Sequence, residues 1–422
     1  MRQLYTALLR LALPALLLRL WWRGRREPGY RRFIGERLGR YASSKREKLV
    51  WVHAVSVGEA RAAAPLVQML RKALPEHAML MTCTTAAGRE TLKQVYGESV
   101  LVAYLPYDFP ETVQRFLEHF RPRLGVLMET EVWPNLLAAC AANGVPVLLA
   151  NARMSEKSAR GYARWPGITR AAFASLAAVC AQSAADAQRL RALGARNVAV
   201  TGNLKFDVEP DARQLEAGHA WHAALARPVL LLASTREGEE KLLLDGVPPG
   251  GKVLVVIVPR HPQRFDEVAA LAQSRRTRTP APAPQDRVHL GDTMGEMAFY
   301  FAACDVAVIG GSFLPLGGQN LIEALAAGAP VVIGPSIFNF AEATRLALEA
   351  GAAIQAPDAR AGINEALSLL GNAKKRDAMS EAGKRLCAEH RGATGRHLAV
   401  CLNLIRGQSP NSASFASPEL GL

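Results

Sequence analysis

A chain of 422 residues is too long for one compact core and implies two domains of roughly 200 residues each. Half of the residues are apolar and 21% are charged, which excludes a disordered chain. The net charge of +14 is concentrated: residues 1–48 carry 13 Lys/Arg against 3 Asp/Glu, and no basic-aromatic pattern follows, so no nucleic-acid partner is expected. The six cysteines are widely spaced with no CxxC, a pattern of free thiols rather than of a zinc site or a disulfide scaffold.

In chain order, residues 1–30 come first as a membrane-associated segment. "LYTALLRLALPALLLRLWW" (4–22) is close to bilayer length, and "RGRREPGYRR" follows it. A basic cluster after the apolar run, not before it, argues against a cleaved signal peptide. Two membrane placements stay open, beside the plainer one of an ordinary amphipathic core helix. The segment spans once with its basic flank cytoplasmic, or it lies in the interface with Trp21 and Trp22 at headgroup depth and its arginines on anionic lipid. Either leaves the remaining chain on the cytoplasmic face of the membrane.

From residue 49, short apolar runs alternate with helical stretches. "LVWVHAV" precedes a helix over about 58–72, and "AMLMTCTT", "VLVAYLP", "LGVLMET", "VPVLLANAR", "LAAVCAQS" and "NVAVTGN" are further strands. Strands alternating with helices predict an α/β fold with a parallel sheet covered on both faces, here over 31–205. "TGNLKFDVEPDARQ" reads as a hinge, and the alternation restarts over 206–406 with six candidate strands: "PVLLLAST", "KVLVVIVPR", "RVHLGD", "VAVIGG", "PVVIGP" and "AAIQA". "RRTRTPAPAPQDR" (275–287) reads as a loop, and residues 407–422 as a disordered Ser/Pro-rich tail.

Ligands of open parallel sheets bind beyond the carboxyl ends of the strands, so the chemistry is expected in the strand-to-helix turns and in a cleft between two facing sheets. "GGSFLPLGGQNLIEA" (310–324) combines glycines with a helix start near Asn320, suited to a phosphate, and Glu323 is placed to accept from ribose hydroxyls. Arg260, after Pro259, suits bidentate phosphate binding. Met294 and Gly295 can frame a base or phosphate beside Glu296, which alternatively caps its helix. No ligand cluster argues for a metal or other cofactor, and the absence of G-x-G-x-x-G after the first strand weakens a dehydrogenase reading. Glu59, in "HAVSVGE" (53–59), sits where the first strand meets its helix; its bland role is a charge favoured by the helix dipole, worth about 0.3–1 kcal/mol.

The motifs "GERLGRY", "HAVSVGE", "YLPYD", "METEVWPNL", "ANARMSEKSARGY", "TGNLKFD", "ASTREGEE", "VPRHPQRF", "GDTMGEM" and "GGQNLIEA" occur in order, and the chain resembles the 3-deoxy-D-manno-octulosonic acid (Kdo) transferases over about residues 3–405. The resemblance implies a GT-B fold of two Rossmann-like domains, CMP-Kdo as donor, and a lipid A precursor as acceptor at the inner membrane. It implies Glu59 as general base and Glu131 as a second acceptor-side carboxylate. CMP contacts are implied at Pro259, Arg260, Met294, Gly295, Glu296, Asn320, Leu321, Ile322 and Glu323. The reaction would be a single-step, inverting displacement in which one carboxylate removes the acceptor's proton. The rival readings are a GT-B enzyme or epimerase acting on another nucleotide sugar, and a non-catalytic membrane-bound nucleotide-binding protein.

Overall fold

The computed structural model describes residues 1–43, 48–207, 209–250 and 252–408. Contacts divide the chain into two units: Met1–Asp207 with the chain from Arg391 onward, and Val208–His390.

The first unit holds seven strands: β1 (Leu49–His53), β2 (Ala78–Cys83), β3 (Leu101–Tyr104), β4 (Leu124–Met128), β5 (Val147–Ala152), β6 (Ala178–Ala181) and β7 (Val198–Val200). They form one sheet in the order β3-β2-β1-β4-β5-β6-β7, every pair parallel. The strands read as continuous apolar runs because both faces are covered, and alternate residues of β1 enter different cores. Val50 and Val52 join one cluster, while Leu49 and Trp51 join the other with Phe116 and Phe120. Trp51 needs Gly125 opposite it, since a Cβ there would lie 2.9 Å from the indole ring.

The helix expected over 58–72 is two helices, Val57–Ala62 and Ala64–Ala73, because Pro65 lacks an N–H and starts a new helix in its first turn. The helix Arg2–Arg26 is long and apolar enough to cross a membrane and is mostly exposed. Its start is held by Tyr5, which donates to Asp108 Oδ2 at 3.0 Å, and by Thr6, whose hydroxyl accepts from Asn135 Nδ2 at 2.9 Å.

The sequence reading assigned 206–406 to the second domain. The structure instead returns the helix Ala393–Ile405 to the first unit, where Ala393, Val400, Cys401 and Leu404 complete a core cluster with β1 and β4. His397 Nε2 accepts from Asn151 N–H at 2.9 Å, and Asp207 accepts from the N–H groups of Gly392 and Thr394. The apolar stripe of this helix would be unburied at the end of a separate second domain, and the first sheet offers it a face. The tail expectation for 407–422 falls almost wholly outside the described residues.

The second unit contains β8 (Val229–Thr235), β9 (Leu254–Pro259), β10 (Ser274–Arg275), β11 (Val288–Leu290), β12 (Val306–Ile309), β13 (Val331–Ile333) and β14 (Ala353–Gln355). Their order is β10-β11-β9-β8-β12-β13-β14, again all parallel. The six candidate strands are present. Edge strand β10 is additional, a two-residue Ser-Arg pair with no apolar pattern to announce it. In both sheets the strand order reverses about the first strand, between β1 and β4 and between β8 and β12, and the crevice beyond the carboxyl ends at such a switch point is where ligands bind.

Candidate active site

At the first switch point the loops after β1 and β4 present three carboxylates. Glu59 lies in the first turn of Val57–Ala62, and Glu129 and Glu131 follow β4. Ser56 and Glu59 form a reciprocal capping box: Ser56 Oγ accepts from Glu59 N–H at 3.2 Å, while Glu59 accepts from Val55 N–H and from the Ser56 hydroxyl, each at 2.9 Å. The bland role is therefore real, yet it uses only part of the carboxylate's acceptor capacity. The pKa of Glu59 is raised from 4.5 to about 7, first by burial and then by the charge of Glu129, with Glu131 adding to it; the hydrogen bonds from Val55 and Ser56 pull the other way.

Glu129 adopts left-handed backbone, with φ 57°, and its Oε1 pairs with Lys205 Nζ at 3.1 Å. Non-glycine residues in that region carry backbone strain of order 1–3 kcal/mol, which tends to gather at functional sites. Glu131 accepts from Trp133 Nε1 at 2.9 Å, and burial pushes its pKa upward.

The second switch point is cationic. Arg260 follows β9, with its N–H on Thr235 O at 2.9 Å and its Nε on Gln319 Oε1 at 3.2 Å. His261 has a lowered pKa because of its partial burial and the positive charges of Arg236, Arg260 and Arg264. Arg264 is held bidentately by Glu240, at 2.5 and 3.1 Å, which commits it to the fold. Ser234 has φ 56°, so strain marks this switch point as well.

The glycine-rich segment is less open to an anion than its composition implies. Buried Glu239 accepts from Gly311 N–H at 2.6 Å and Phe313 N–H at 3.2 Å, and Gly317 N–H donates to Ser336 Oγ at 2.9 Å. The helix expected near Asn320 is Ile322–Ala327, and Asn320 Oδ1 accepts its first N–H at 3.1 Å. Asn320 Nδ2 in turn holds Glu323 at 2.9 Å, with the Glu323 side chain half-exposed. Leu321 and Ile322 are buried, so only their backbone can meet a ligand. Glu296 is paired with Arg276 at 2.7 Å and accepts from the Thr293 hydroxyl at 2.6 Å; Gly295 O accepts from Gln214 at 3.0 Å, and Met294 is exposed beside them.

Residues 32–208 match the family model described as 3-deoxy-D-manno-octulosonic-acid transferase (kdotransferase). The 3-deoxy-D-manno-octulosonic acid transferase of Bordetella pertussis is 49% identical, over 94% of this chain and 98% of its own length. The chain belongs to the Kdo transferase family. The Haemophilus influenzae member is 33% identical, over 94% of this chain and 97% of its own. A glycosyltransferase structure from Rickettsia africae matches at a TM-score of 0.59 with 13% identity, covering 87% of this chain and all of that one, a likeness of fold alone.

As a Kdo transferase the protein is a glycosyltransferase of the GT-B fold class, and the motifs sort into two kinds. Some of their residues line the switch points, among them Glu59, Glu129, Lys205, Arg236 and Arg260. Others are architectural, including Glu36 with Arg89, Asp108 with Asn135, and Glu240 with Arg264. Sequence reasoning named neither Lys205 nor Glu129 as a site residue, nor Arg236, although all three stand inside the quoted motifs. Their place within "TGNLKFD", "METEVWPNL" and "ASTREGEE" was the available signal.

Proposed function

We propose that this Kdo transferase moves Kdo from CMP-Kdo to a hydroxyl of a lipid A precursor, with inversion at the anomeric carbon, at the cytoplasmic face of the inner membrane. Glu59 is the general base. The observation that carries this role is its place in the first turn after β1, at a switch point shared with Glu129 and Glu131; burial there and those charges raise its pKa to about 7, and a base is most effective when its pKa lies near the working pH. The acceptor oxygen loses its proton to Glu59 as it attacks, and the same negative surroundings favour the oxocarbenium character of the transition state.

On the donor side, Arg236 and Arg260 take the charge of the departing cytidylate phosphate. Glu323, steadied by Asn320, accepts from ribose hydroxyls, and the backbone at Met294–Gly295, with Pro259 at the end of β9, frames the nucleotide. Glu296 shapes that loop through Arg276 and Thr293. Glu131 stands on the acceptor side. The apolar helix Arg2–Arg26 and its basic flank hold the protein at an anionic bilayer.

The test is direct. Protein incubated with CMP-Kdo and a tetra-acylated lipid A precursor should yield CMP and a glycolipid heavier by one or more Kdo residues, read by mass spectrometry. Firm binding of CMP-Kdo without such a product would overturn the proposal.

A further inference from the structure

The first unit contains a cavity of about 720 Å³, lined in part by residues of "METEVWPNL" and "ANARMSEKSARGY", none of which but Glu131 has a role in the reaction proposed above. Its wall is mostly apolar. Leu4 and Leu8 come from the N-terminal helix, Trp133 from the loop after β4, and Trp165, Ile168 and Phe173 from the segment following Glu156–Ala163. The volume is in the range of small-molecule sites, roughly 300–1,000 Å³. Two further observations say what fits. Leu4 and Leu8 are half-exposed on the helix that is apolar enough to enter a membrane, so the cavity adjoins the surface that would meet lipid. Thr130 and Glu131, of the carboxylate loop at the first switch point, form the polar part of the same wall. Glu131 also adds to the electrostatic field at Glu59.

A ligand that satisfies both ends has an apolar chain and a polar head that reaches the carboxylates. We infer that the cavity receives one acyl chain of the lipid acceptor, between the N-terminal helix and the helices spanning 156–174, and thereby sets the acceptor's hydroxyl against the carboxylate loop. This rests on the acceptor proposed above. A bulk membrane phospholipid would satisfy the apolar wall but brings no acceptor sugar hydroxyl to the loop that carries Thr130 and Glu131. Solvent-exposed Lys157 and Arg164 on and just after the helix Glu156–Ala163 complement an anionic headgroup.

Gly161 offers a way to fill the cavity. It lines the wall, and a Cβ placed there meets nothing within 4 Å. In the full-length protein, Gly161→Phe, and independently Ser158→Phe, should lower the ratio of kcat/KM for tetra-acylated over O-deacylated acceptor at least tenfold relative to wild type. An unchanged ratio in both variants overturns the acyl site. So does a loss confined to acceptor embedded in vesicles and absent for the same acceptor in detergent, which would assign the face to bulk membrane. A second readout does not depend on turnover. An acceptor carrying a diazirine in one acyl chain should label the peptide containing Tyr162 and Trp165, and labelling only elsewhere overturns the inference. Wild type that is labelled there but transfers Kdo to neither acceptor would overturn the proposed reaction and leave the site standing.

Discussion

Glu59 serves as a helix cap and as the proposed base, and the two roles respond differently to substitution. Glu59→Gln keeps an oxygen for Val55 N–H, so the fold should persist, while turnover falls at least about a hundredfold. Near-normal transfer would remove Glu59 from the mechanism. The pH dependence has a definite sign. The base must be ionised, so kcat/KM of the wild type should fall as pH drops below about 7, an apparent value that belongs to the coupled cluster of Glu59, Glu129 and Glu131. Stability runs the opposite way. The folded-state pKa is raised above the ordinary value of 4.5, so the native state binds the proton more tightly, and stability declines as pH rises between about 4.5 and 7. Glu59→Gln should therefore melt higher than wild type near pH 8, with the gap closing toward pH 4; a lower melting temperature at pH 8 would contradict the raised pKa. On the donor side, Arg236→Ala should weaken CMP binding about tenfold or more by calorimetry, the scale of one lost charge-assisted hydrogen bond of about 1.5–3 kcal/mol.

At the scale of elements, the N-terminal helix is fastened by one small network. Asp108 accepts from Asn135 N–H at 3.0 Å, Leu136 N–H at 2.7 Å and the Tyr5 hydroxyl at 3.0 Å, so a single carboxylate caps the helix Pro134–Ala142 and grips the helix Arg2–Arg26. Asp108→Ala leaves two buried N–H groups without an acceptor, at roughly 1–3 kcal/mol each, and urea denaturation should show that loss. Deleting residues 1–25 should abolish flotation with anionic vesicles; persistent flotation would place the membrane contact elsewhere. Most strands were legible because parallel strands buried on both faces are continuous Val, Leu and Ile runs, as in "KVLVVIVPR" for β9. Strand β10 was not, because its two residues carry no apolar run and are held by pairing with β11 and by side-chain bonds of Ser274 to His289 and of Arg275 to Asp292. The single helix expected over 58–72 erred because apolar periodicity outweighed Pro65 in the reading.

At the scale of the whole chain, the return of Ala393–Ile405 makes the first unit depend on the last residues described. Fully buried His397 supplies the acceptor for Asn151 N–H, and its pKa is pushed down to about 4 by burial, so it is neutral under ordinary conditions. His397→Ala should accelerate hydrogen exchange in β4 and β5 while leaving β8 and β12 unchanged. Equal loosening of both units would contradict the division at Asp207.

The amino-acid sequence by itself determined the family, the α/β class, nearly every strand and the turn that carries Glu59. These are encoded locally, in periodicity, turn chemistry and short motifs. Only the tertiary structure decided how that glutamate titrates, because its pKa is raised first by burial and then by Glu129 and Glu131, some seventy residues away, and Lys205 pairs with Glu129 from farther still. It alone revealed that Glu239 occupies N–H groups of the glycine loop and that the final helix rejoins the first sheet. Charge environment and hydrogen-bond satisfaction are properties of neighbours in space, and a linear pattern does not state who those neighbours are.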